Sequence, residues 1–159
     1  MLKYRQQQIF IQSGLFDQAT FYPAFNRDLK DCVEELIIES PFITLNRISL
    51  LMPVLTKLRK RGVRVVINTR NPIEHDYDYQ LQAEDAIDWL QSIGIKVLFT
   101  IKHHRKLAII DRAMVWEGSL NILSHYDSCE IMRRVNSRVE AEIMVNFLKL
   151  HKYLLDMEI

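Results

Sequence analysis

Apolar residues recur at helical spacing in four stretches of the chain. Side chains three or four positions apart share one face of a helix, so each stretch predicts a helix. The stretches cover about residues 22–33, 47–60, 79–92 and 137–155. Pro53 falls inside the second stretch, so it must lie in the first turn of that helix or kink it. Asn46 and Ser49 are the candidate capping residues at the start of the same helix.

Continuous apolar runs lie between the helical stretches and predict buried strands. Three of these runs, at residues 36–40, 63–69 and 95–99, alternate with helices. Three more follow with short connections, at residues 106–110, 114–117 and 130–135. The early alternation favours some parallel pairing, and the late run of strands makes the sheet mixed. The sequence therefore predicts an α/β fold, a mixed β-sheet with helices on both faces.

The composition is that of one soluble globular domain. The chain has 159 residues, of which 48% are hydrophobic and 26% are charged, and we treat residues 1–159 as a single domain. The apolar run near the start is too short for a secretory signal, and none reaches the roughly 20 residues that cross a bilayer. We therefore expect a cytoplasmic protein without a membrane partner. The first twenty residues form either an edge strand or part of a dimer contact.

The two cysteines, Cys32 and Cys129, are far apart and lack a C-x-x-C pattern. Free, buried thiols are therefore expected, without a disulfide or a zinc site.

The net charge of +1 does not by itself indicate a nucleic-acid-binding protein. The basic residues nevertheless form three clusters. These are Lys57, Arg59, Lys60, Arg61 and Arg64; Lys102, Arg105 and Lys106, with His103 and His104; and Arg133 with Arg134. A solvated surface is the favoured interpretation of the first cluster.

Two short motifs carry the chemical information of the sequence. An H-x-K-x4-D motif occupies residues 104–111, and a G-S-x-N motif follows at 118–121. Their fixed positions are His104, Lys106, Asp111, Gly118, Ser119 and Asn121. Six fixed positions at set spacing arise by chance on the order of once in tens of millions of start points.

Together the two motifs resemble the signature of the phospholipase D superfamily. Larger members of that superfamily carry the signature twice, whereas this chain carries it once. The chain is therefore similar to the small bacterial endonucleases of the superfamily, in which two chains complete one active site. It is also similar to the phospholipase D-like domains attached to helicases and restriction enzymes. The resemblance implies a metal-independent phosphodiesterase that needs no cofactor.

The residue types agree with phosphodiester chemistry, which needs a nucleophile, an acid and fixed positive charge around phosphorus. On a strand, His104 and Lys106 would share one face, and Asp111 would have the opposite parity. We expect His104 to attack phosphorus and form a phosphohistidine. The same histidine of a second chain would protonate the leaving oxygen, because a two-fold axis can set the two imidazoles on opposite sides of the phosphorus.

The remaining signature residues have supporting roles in this hypothesis. Lys106 and Asn121 would hold the non-bridging oxygens, and Ser119 would donate a further hydrogen bond to phosphate or to the histidine. Asp111 and Gly118 would serve the fold. Glu130 lies where the superfamily often has a carboxylate that orients the nucleophilic histidine; an exposed glutamate at a strand start is the equal alternative.

Other residues are weaker candidates. His103 has the wrong parity for the site, and His125 is more simply a surface loop residue than part of a groove. His75 and His151 are expected on the surface. Trp116 is expected to pack in the core rather than to stack on a base.

The motifs indicate that the substrate is a phosphodiester, and they do not identify the alcohols that the phosphate esterifies. We favour DNA or RNA over phospholipid, because basic clusters near the motifs suit a polyanionic backbone. A non-catalytic nucleic-acid-binding or dimerisation module that serves a helicase or restriction partner is the first alternative. A phospholipid phosphodiesterase or transphosphatidylase is the second.

Overall fold

The computed structural model describes residues 12–124 and 127–155. These residues form seven strands and four α-helices, in the order β1 (Gln12–Asp17), α1 (Phe21–Asp31), β2 (Glu35–Glu39), α2 (Leu45–Lys60), β3 (Arg64–Arg70), α3 (Tyr77–Ser92), β4 (Lys96–Thr100), β5 (Leu107–Ile110), β6 (Met114–Gly118), β7 (Ile131–Asn136) and α4 (Arg138–Leu148). Two 3-10 helices cover Pro72–Glu74 and Leu150–Leu154. All six predicted strands and all four predicted helices are therefore present, with shifts of a few residues at their ends.

One sheet contains all seven strands in the order β1-β7-β6-β5-β2-β3-β4. Strands β2, β3 and β4 run parallel to one another, and the other neighbours pair antiparallel. The predicted mixed sheet is confirmed. Residues 12–17 form the edge strand that was one of the two expectations for the start of the chain, and residues 1–11 lie outside the described residues.

Helices cover both faces of the sheet, as the alternation of strands and helices predicts. In β2, Leu36 and Ile38 point into the core that α1, α2 and α3 cover, whereas Ile37 points into the core beneath α4. Trp116 is fully buried in the first core and packs against Phe16, Phe21 and Phe25. The prediction that Trp116 is a core residue is confirmed.

The start of α2 differs from the prediction. Thr44 caps the helix through its side chain, which accepts a hydrogen bond from the Arg47 amide, so the expectation of Asn46 or Ser49 is wrong. Pro53 lies in the third turn on an exposed face, and helix α2 continues on both sides of it. The first-turn alternative for Pro53 is therefore wrong, because the true cap lies earlier in the sequence.

The C-terminal helix is shorter than predicted. Lys149 adopts a left-handed conformation with φ of 56°, which ends α4, and a 3-10 helix follows to Leu154. The break turns Leu150 and Leu154 into the second core and carries Tyr153 to the sheet. Within the described part of the chain, no helix has the length and apolar character needed to cross a membrane.

Candidate active site

His104 and Lys106 lie in the connection between β4 and β5, immediately before the first residue of β5. The strand-parity argument therefore does not apply to them directly, yet their side chains meet. The Lys106 Nζ atom lies 3.2 Å from His104 Nδ1 and donates a 3.0 Å hydrogen bond to the His104 carbonyl oxygen. His104 is exposed and Lys106 is half-buried, so the pair is open to a ligand.

Burial lowers the pKa of Lys106 relative to an ordinary lysine. The positive charge of Arg70 acts in the same direction, whereas the carboxylate of Glu130 opposes it. Both charges are therefore close enough to act on the Lys106 ammonium. Glu130 itself accepts a hydrogen bond from the Ser128 hydroxyl at 2.8 Å, and its amide donates to Gln18.

Gly118 and Ser119 join the end of β6 to β7 and to the segment that carries His104. The Gly118 amide donates to the Lys106 carbonyl, and a Cβ atom at Gly118 would lie 2.1 Å from the Ile131 carbonyl oxygen. Only glycine permits that approach. The Ser119 amide donates to Ile131, and the Ser119 hydroxyl accepts from the Ile131 amide at 3.0 Å. The Ser119 hydroxyl, which was expected to contact phosphate or the histidine, is thus hydrogen-bonded to the backbone.

Asn121 follows the G-S turn and is half-buried. Its side-chain oxygen, Oδ1, is buried and has no hydrogen-bond partner in the described structure. A buried amide oxygen without a partner is unusual and costs free energy unless a ligand satisfies it. Asn121 therefore has free hydrogen-bonding capacity at the position where the signature expects contact with substrate.

Asp111 follows β5, at the opposite end of that strand from Lys106, and binds the turn before β2. Its carboxylate accepts hydrogen bonds from the amides of Val33, Glu34 and Glu35 at 2.8–3.0 Å. Burial raises the pKa of Asp111, but these amides outweigh burial and hold the pKa below its ordinary value. Asp111 also has a left-handed backbone with φ of 52°, a conformation that aspartate tolerates better than most residues.

A buried carboxylate beneath the His104 segment is the main feature that the sequence reasoning missed. Glu39 is fully buried at the end of β2 and accepts two hydrogen bonds from the Arg105 guanidinium. The Tyr153 hydroxyl donates to Glu39 at 2.8 Å, and the Asn68 amide donates to Tyr153. Because Arg105 lies between His104 and Lys106 in the chain, this network fixes the backbone that carries both.

Burial raises the pKa of Glu39, but the hydrogen bonds from Arg105 and Tyr153 outweigh burial and leave the pKa below its ordinary value. His103 is also buried, with Nε2 3.9 Å from Glu39, and burial lowers its pKa. Arg70, at the end of β3, donates to the His103 carbonyl at 3.1 Å. The only sequence signal for Glu39 and Arg70 was their position at the carboxyl ends of parallel strands, where ligand sites of α/β sheets gather.

His104 and Lys106 open into a groove of about 590 Å³ between β7 and α4. Arg133 lines it, together with apolar side chains that include Leu15, Ile131 and Phe147. These three apolar side chains are exposed by 60%, 55% and 81% respectively. The groove thus combines the positive charges of Lys106 and Arg133 with a wall of exposed apolar side chains.

The other basic residues divide between structural and surface positions. Arg59 and Arg61 donate to backbone carbonyls, and Arg61 is exposed whereas Arg59 is half-buried, so the interpretation of the first cluster as a solvated surface is wrong for Arg59. Arg134 forms a two-pronged ion pair with Asp28, whereas Arg133 is exposed.

The expectations for the remaining histidines and cysteines are met in part. His75 is half-buried between the rings of Phe42 and Tyr79, so its expected surface position is wrong, whereas His151 is exposed. His125 lies outside the described residues.

Both cysteines are free; Cys32 is buried and Cys129 is exposed, so the expectation of burial is wrong for Cys129. Within residues 12–124 and 127–155, no group of three or more His, Cys, Asp or Glu side chains is arranged to hold a metal ion.

Comparison with known proteins identifies one family model that matches residues 25–150, described as cardiolipin synthase, PLD-like domain. NucT from Helicobacter pylori is 18% identical with a TM-score of 0.72, over 91% of this chain and 96% of that chain. Nuc from Salmonella typhimurium, a phospholipase D family member, is 18% identical with a TM-score of 0.67, over 88% and 91%.

A phosphatidylserine synthase from Haemophilus influenzae Rd KW20 is 10% identical with a TM-score of 0.63, over 92% of this chain and 40% of that chain. At these identities the likeness to solved structures shows the fold alone. Among curated proteins, none matches the chain by sequence.

Proposed function

The chain belongs to the phospholipase D-like domain family, and we propose that it is a metal-independent nuclease that cleaves DNA or RNA through a covalent phosphohistidine. The family match supports phosphodiester chemistry as the kind of reaction, and the fold shared with NucT and with Nuc, a phospholipase D family member, agrees with it. The observation that carries the proposal is the contact between His104 and Lys106 at the open end of the groove.

The reaction proceeds in two displacements. A nitrogen of His104 forms a bond to phosphorus while the bond to the leaving oxygen breaks, and an imidazolium gives that oxygen its proton. The resulting neutral imidazole then takes a proton from water, whose oxygen attacks phosphorus and releases His104. Lys106 and the Asn121 amide stabilise the negative charge on the non-bridging oxygens in both steps.

Ser119, directly after β6, and Glu130, directly before β7, act on the same centre. The Ser119 hydroxyl exchanges its backbone partner for a phosphate oxygen or for His104 when substrate binds. The Glu130 carboxylate, whose charge already acts on Lys106, orients the imidazole.

A second copy of the chain supplies the second imidazole. The apolar wall beside His104 supports this pairing, because exposed apolar surface of this kind marks protein interfaces. A two-fold contact through Leu15, Ile131 and Phe147 would bring the two grooves together, so that the site is complete only in the dimer.

Nucleic acid is the favoured substrate because the cations at the site suit a chain of phosphates. Lys106 and the exposed Arg133 line the groove, and Arg70 lies close enough for its charge to act on Lys106. The two alternatives, a non-catalytic module for a helicase or restriction partner and a phospholipid phosphodiesterase, are outcomes of the same test.

The test is cleavage of labelled single- and double-stranded DNA and RNA in excess EDTA, with phospholipid vesicles as a parallel substrate. Wild type is compared with His104→Ala, and a variant of an exposed histidine, His151→Ala, is the control. Cleavage of nucleic acid by wild type and the control, and not by His104→Ala, supports the proposal. Nucleic-acid binding without cleavage indicates the non-catalytic module, and phospholipid cleavage alone indicates the lipid enzyme.

A further inference from the structure

We propose that a second pocket, on the α2 and α3 side of Asn121, binds the base of the nucleotide beside the cleaved phosphate. The proposal rests on the nuclease function above and narrows its substrate to nucleic acid that is unpaired at the cut. A base enters this pocket only when it has left the duplex stack. Single strands, loops and gaps are therefore cut, and continuous duplex is not.

The base pocket has a volume of about 580 Å³ and adjoins the signature through one residue. Asn121 lines it together with Phe42, Thr44, Tyr79, Gln82 and Ser124. Its wall thus combines two aromatic rings with amide and hydroxyl groups. Phospholipid acyl chains would need a continuous apolar wall, whereas a heteroaromatic base needs ring faces and hydrogen-bonding groups together.

Phe42 and Tyr79 form the aromatic side of the pocket. Phe42 follows β2 and Tyr79 lies in the first turn of α3, and His75 packs against both rings from outside the lining. The Tyr79 ring meets Phe42 edge-on at 5.7 Å and His75 at 4.6 Å, and Phe42 lies 5.1 Å from His75. Burial lowers the pKa of His75, so its ring is neutral over a wider pH range than an ordinary histidine. An aromatic cluster of this kind is a stacking surface for bases of any sequence.

Arg70 connects the aromatic cluster to the reacting centre. Its guanidinium carbon lies 5.6 Å from the centre of the Phe42 ring, and its charge acts on both His75 and Lys106. The cation is thus located between the base pocket and the phosphate site. Such a position suits the phosphate of the nucleotide whose base enters the pocket.

Asn121 is a second, independent indication that this pocket binds a ligand. Its Oδ1 atom is buried and has no partner, whereas Tyr79 and Gln82 already bond the backbone of Ile43 and Leu45. On turning toward the pocket, the Asn121 side chain would accept a hydrogen bond from the base through Oδ1 while its amide group contacts phosphate. One residue would then serve both the phosphate and the neighbouring base.

The test maps cleavage within single-stranded oligonucleotides that contain one stable abasic nucleotide at successive positions. In wild type, a bond beside the abasic nucleotide should be cut about tenfold more slowly than the same bond in the intact strand, because one stacking contact is lost. In Phe42→Ala the two rates should become equal, and Phe42→Tyr should restore the difference. Tyr77→Ala, which removes an exposed ring from the same helix as Tyr79, should behave as wild type.

Asn46→Trp provides a second route if Phe42→Ala folds poorly. Asn46 is an exposed residue in the first turn of α2, beside Thr44, and an indole there would fill the pocket and equally remove the difference. The base pocket is overturned if wild type cuts the bond beside the abasic nucleotide as fast as the same bond in the intact strand. It is also overturned if Phe42→Ala and Asn46→Trp both keep the difference between these two rates. Either result leaves the nuclease proposal intact. Absence of any nucleic-acid cleavage by wild type overturns the nuclease proposal itself, and the base pocket with it.

Discussion

The Nζ atom of Lys106 lies 3.2 Å from Nδ1 of His104, in a connection between two strands rather than on a strand. The contact joins the nucleophile of the proposed reaction to the cation that stabilises its transition state. Both side chains leave the same short segment, and the Gly118 amide holds that segment through the Lys106 carbonyl. The chemistry therefore depends on how firmly this one segment is fixed.

The pH dependence of cleavage should report the lowered pKa of Lys106. Two groups must be protonated in the proposed reaction, the imidazolium that gives the leaving oxygen its proton and the Lys106 ammonium, so activity should fall in two steps as the pH rises. The second step is the alkaline limb, and it follows the pKa of Lys106. Because the pKa lies below that of an ordinary lysine, the loss should begin at a lower pH than lysine chemistry alone would give. Arg70→Ala removes a positive charge and should move the alkaline limb of kcat/KM to higher pH, whereas Lys57→Ala, at an exposed site, should not.

Replacing the lysine itself completes this prediction. Lys106→Ala should lower kcat about 10²–10³-fold, as the loss of one charged contact to a transition state does. Any activity that remains should lack the alkaline limb. An alkaline limb that persists unchanged in Lys106→Ala would assign it to another group.

Removal of Arg105 should destabilise the protein more than neutralisation of its partner Glu39. Arg105→Ala leaves a buried carboxylate without its cation and should cost about 3 kcal/mol of unfolding free energy. Glu39→Gln removes the charge as well, so it should cost less, and the double variant should cost less than the sum of the two. Chemical denaturation measures all three, with Asp88→Asn on the exposed side of α3 as the control.

The same pair should make stability depend on acid pH. The pKa of Glu39 is below its ordinary value of 4.5, so its contribution is complete above pH 4.5 and is lost as the pH falls through the lower folded-state pKa. Wild type should lose stability over that range, and Glu39→Gln should lose less. Equal pH profiles in the two proteins would show that Glu39 does not hold the segment by its charge.

Asp111→Ala should weaken folding while leaving the chemistry of the folded protein intact. The substitution removes the acceptor of three backbone amides, and we expect a loss of about 1–3 kcal/mol, since water can reach two of these amides. Denaturation curves measure the stability, and kcat per folded molecule measures the chemistry. A fall in kcat comparable with that of His104→Ala would place Asp111 in the reaction instead.

Phe147→Asp should separate the proposed dimer and abolish cleavage together. The Phe147 ring is 81% exposed at the rim of the groove, and a carboxylate there would oppose burial against a second copy. Light scattering and cleavage are measured on the same samples. Leu50→Asp, which charges an exposed apolar residue on α2, should remain dimeric and active.

Mixing chains gives the dimer prediction a second measurement. Wild-type and His104→Ala chains are mixed and allowed to exchange between dimers. If both histidines are needed, only dimers of two wild-type chains are active, so activity should fall with the square of the wild-type fraction. A linear fall, or a stable and active Phe147→Asp monomer, would contradict a shared site.

The sequence alone predicted the sheet, the helices and the family to a considerable degree. Regular spacing of apolar residues encodes the elements, and the six signature positions indicate the family, because both are local patterns. Trp116 was assigned to the core for the same reason. Local patterns fail where distant parts of the chain compete, as at Lys149, whose left-handed turn brings Tyr153 onto the sheet.

The positioning network could not be read from the sequence for a related reason. Glu39, Arg105 and Tyr153 are separated by up to 114 positions, and each alone resembles an ordinary polar residue. His75 looked like a surface residue because its aromatic neighbour Phe42 comes from a distant part of the chain, the connection between β2 and α2. Such contacts arise from the packing of the sheet, and no regular spacing of residues in the sequence predicts them.

The stereochemistry of cleavage at phosphorus tests the central claim most directly. A chiral phosphorothioate linkage is hydrolysed in ¹⁸O-labelled water in excess EDTA, and the configuration of the product is determined. Two successive displacements through a phosphohistidine on His104 predict overall retention, because each displacement inverts phosphorus once. Overall inversion would mean that water attacks the substrate directly, and it would contradict the covalent mechanism.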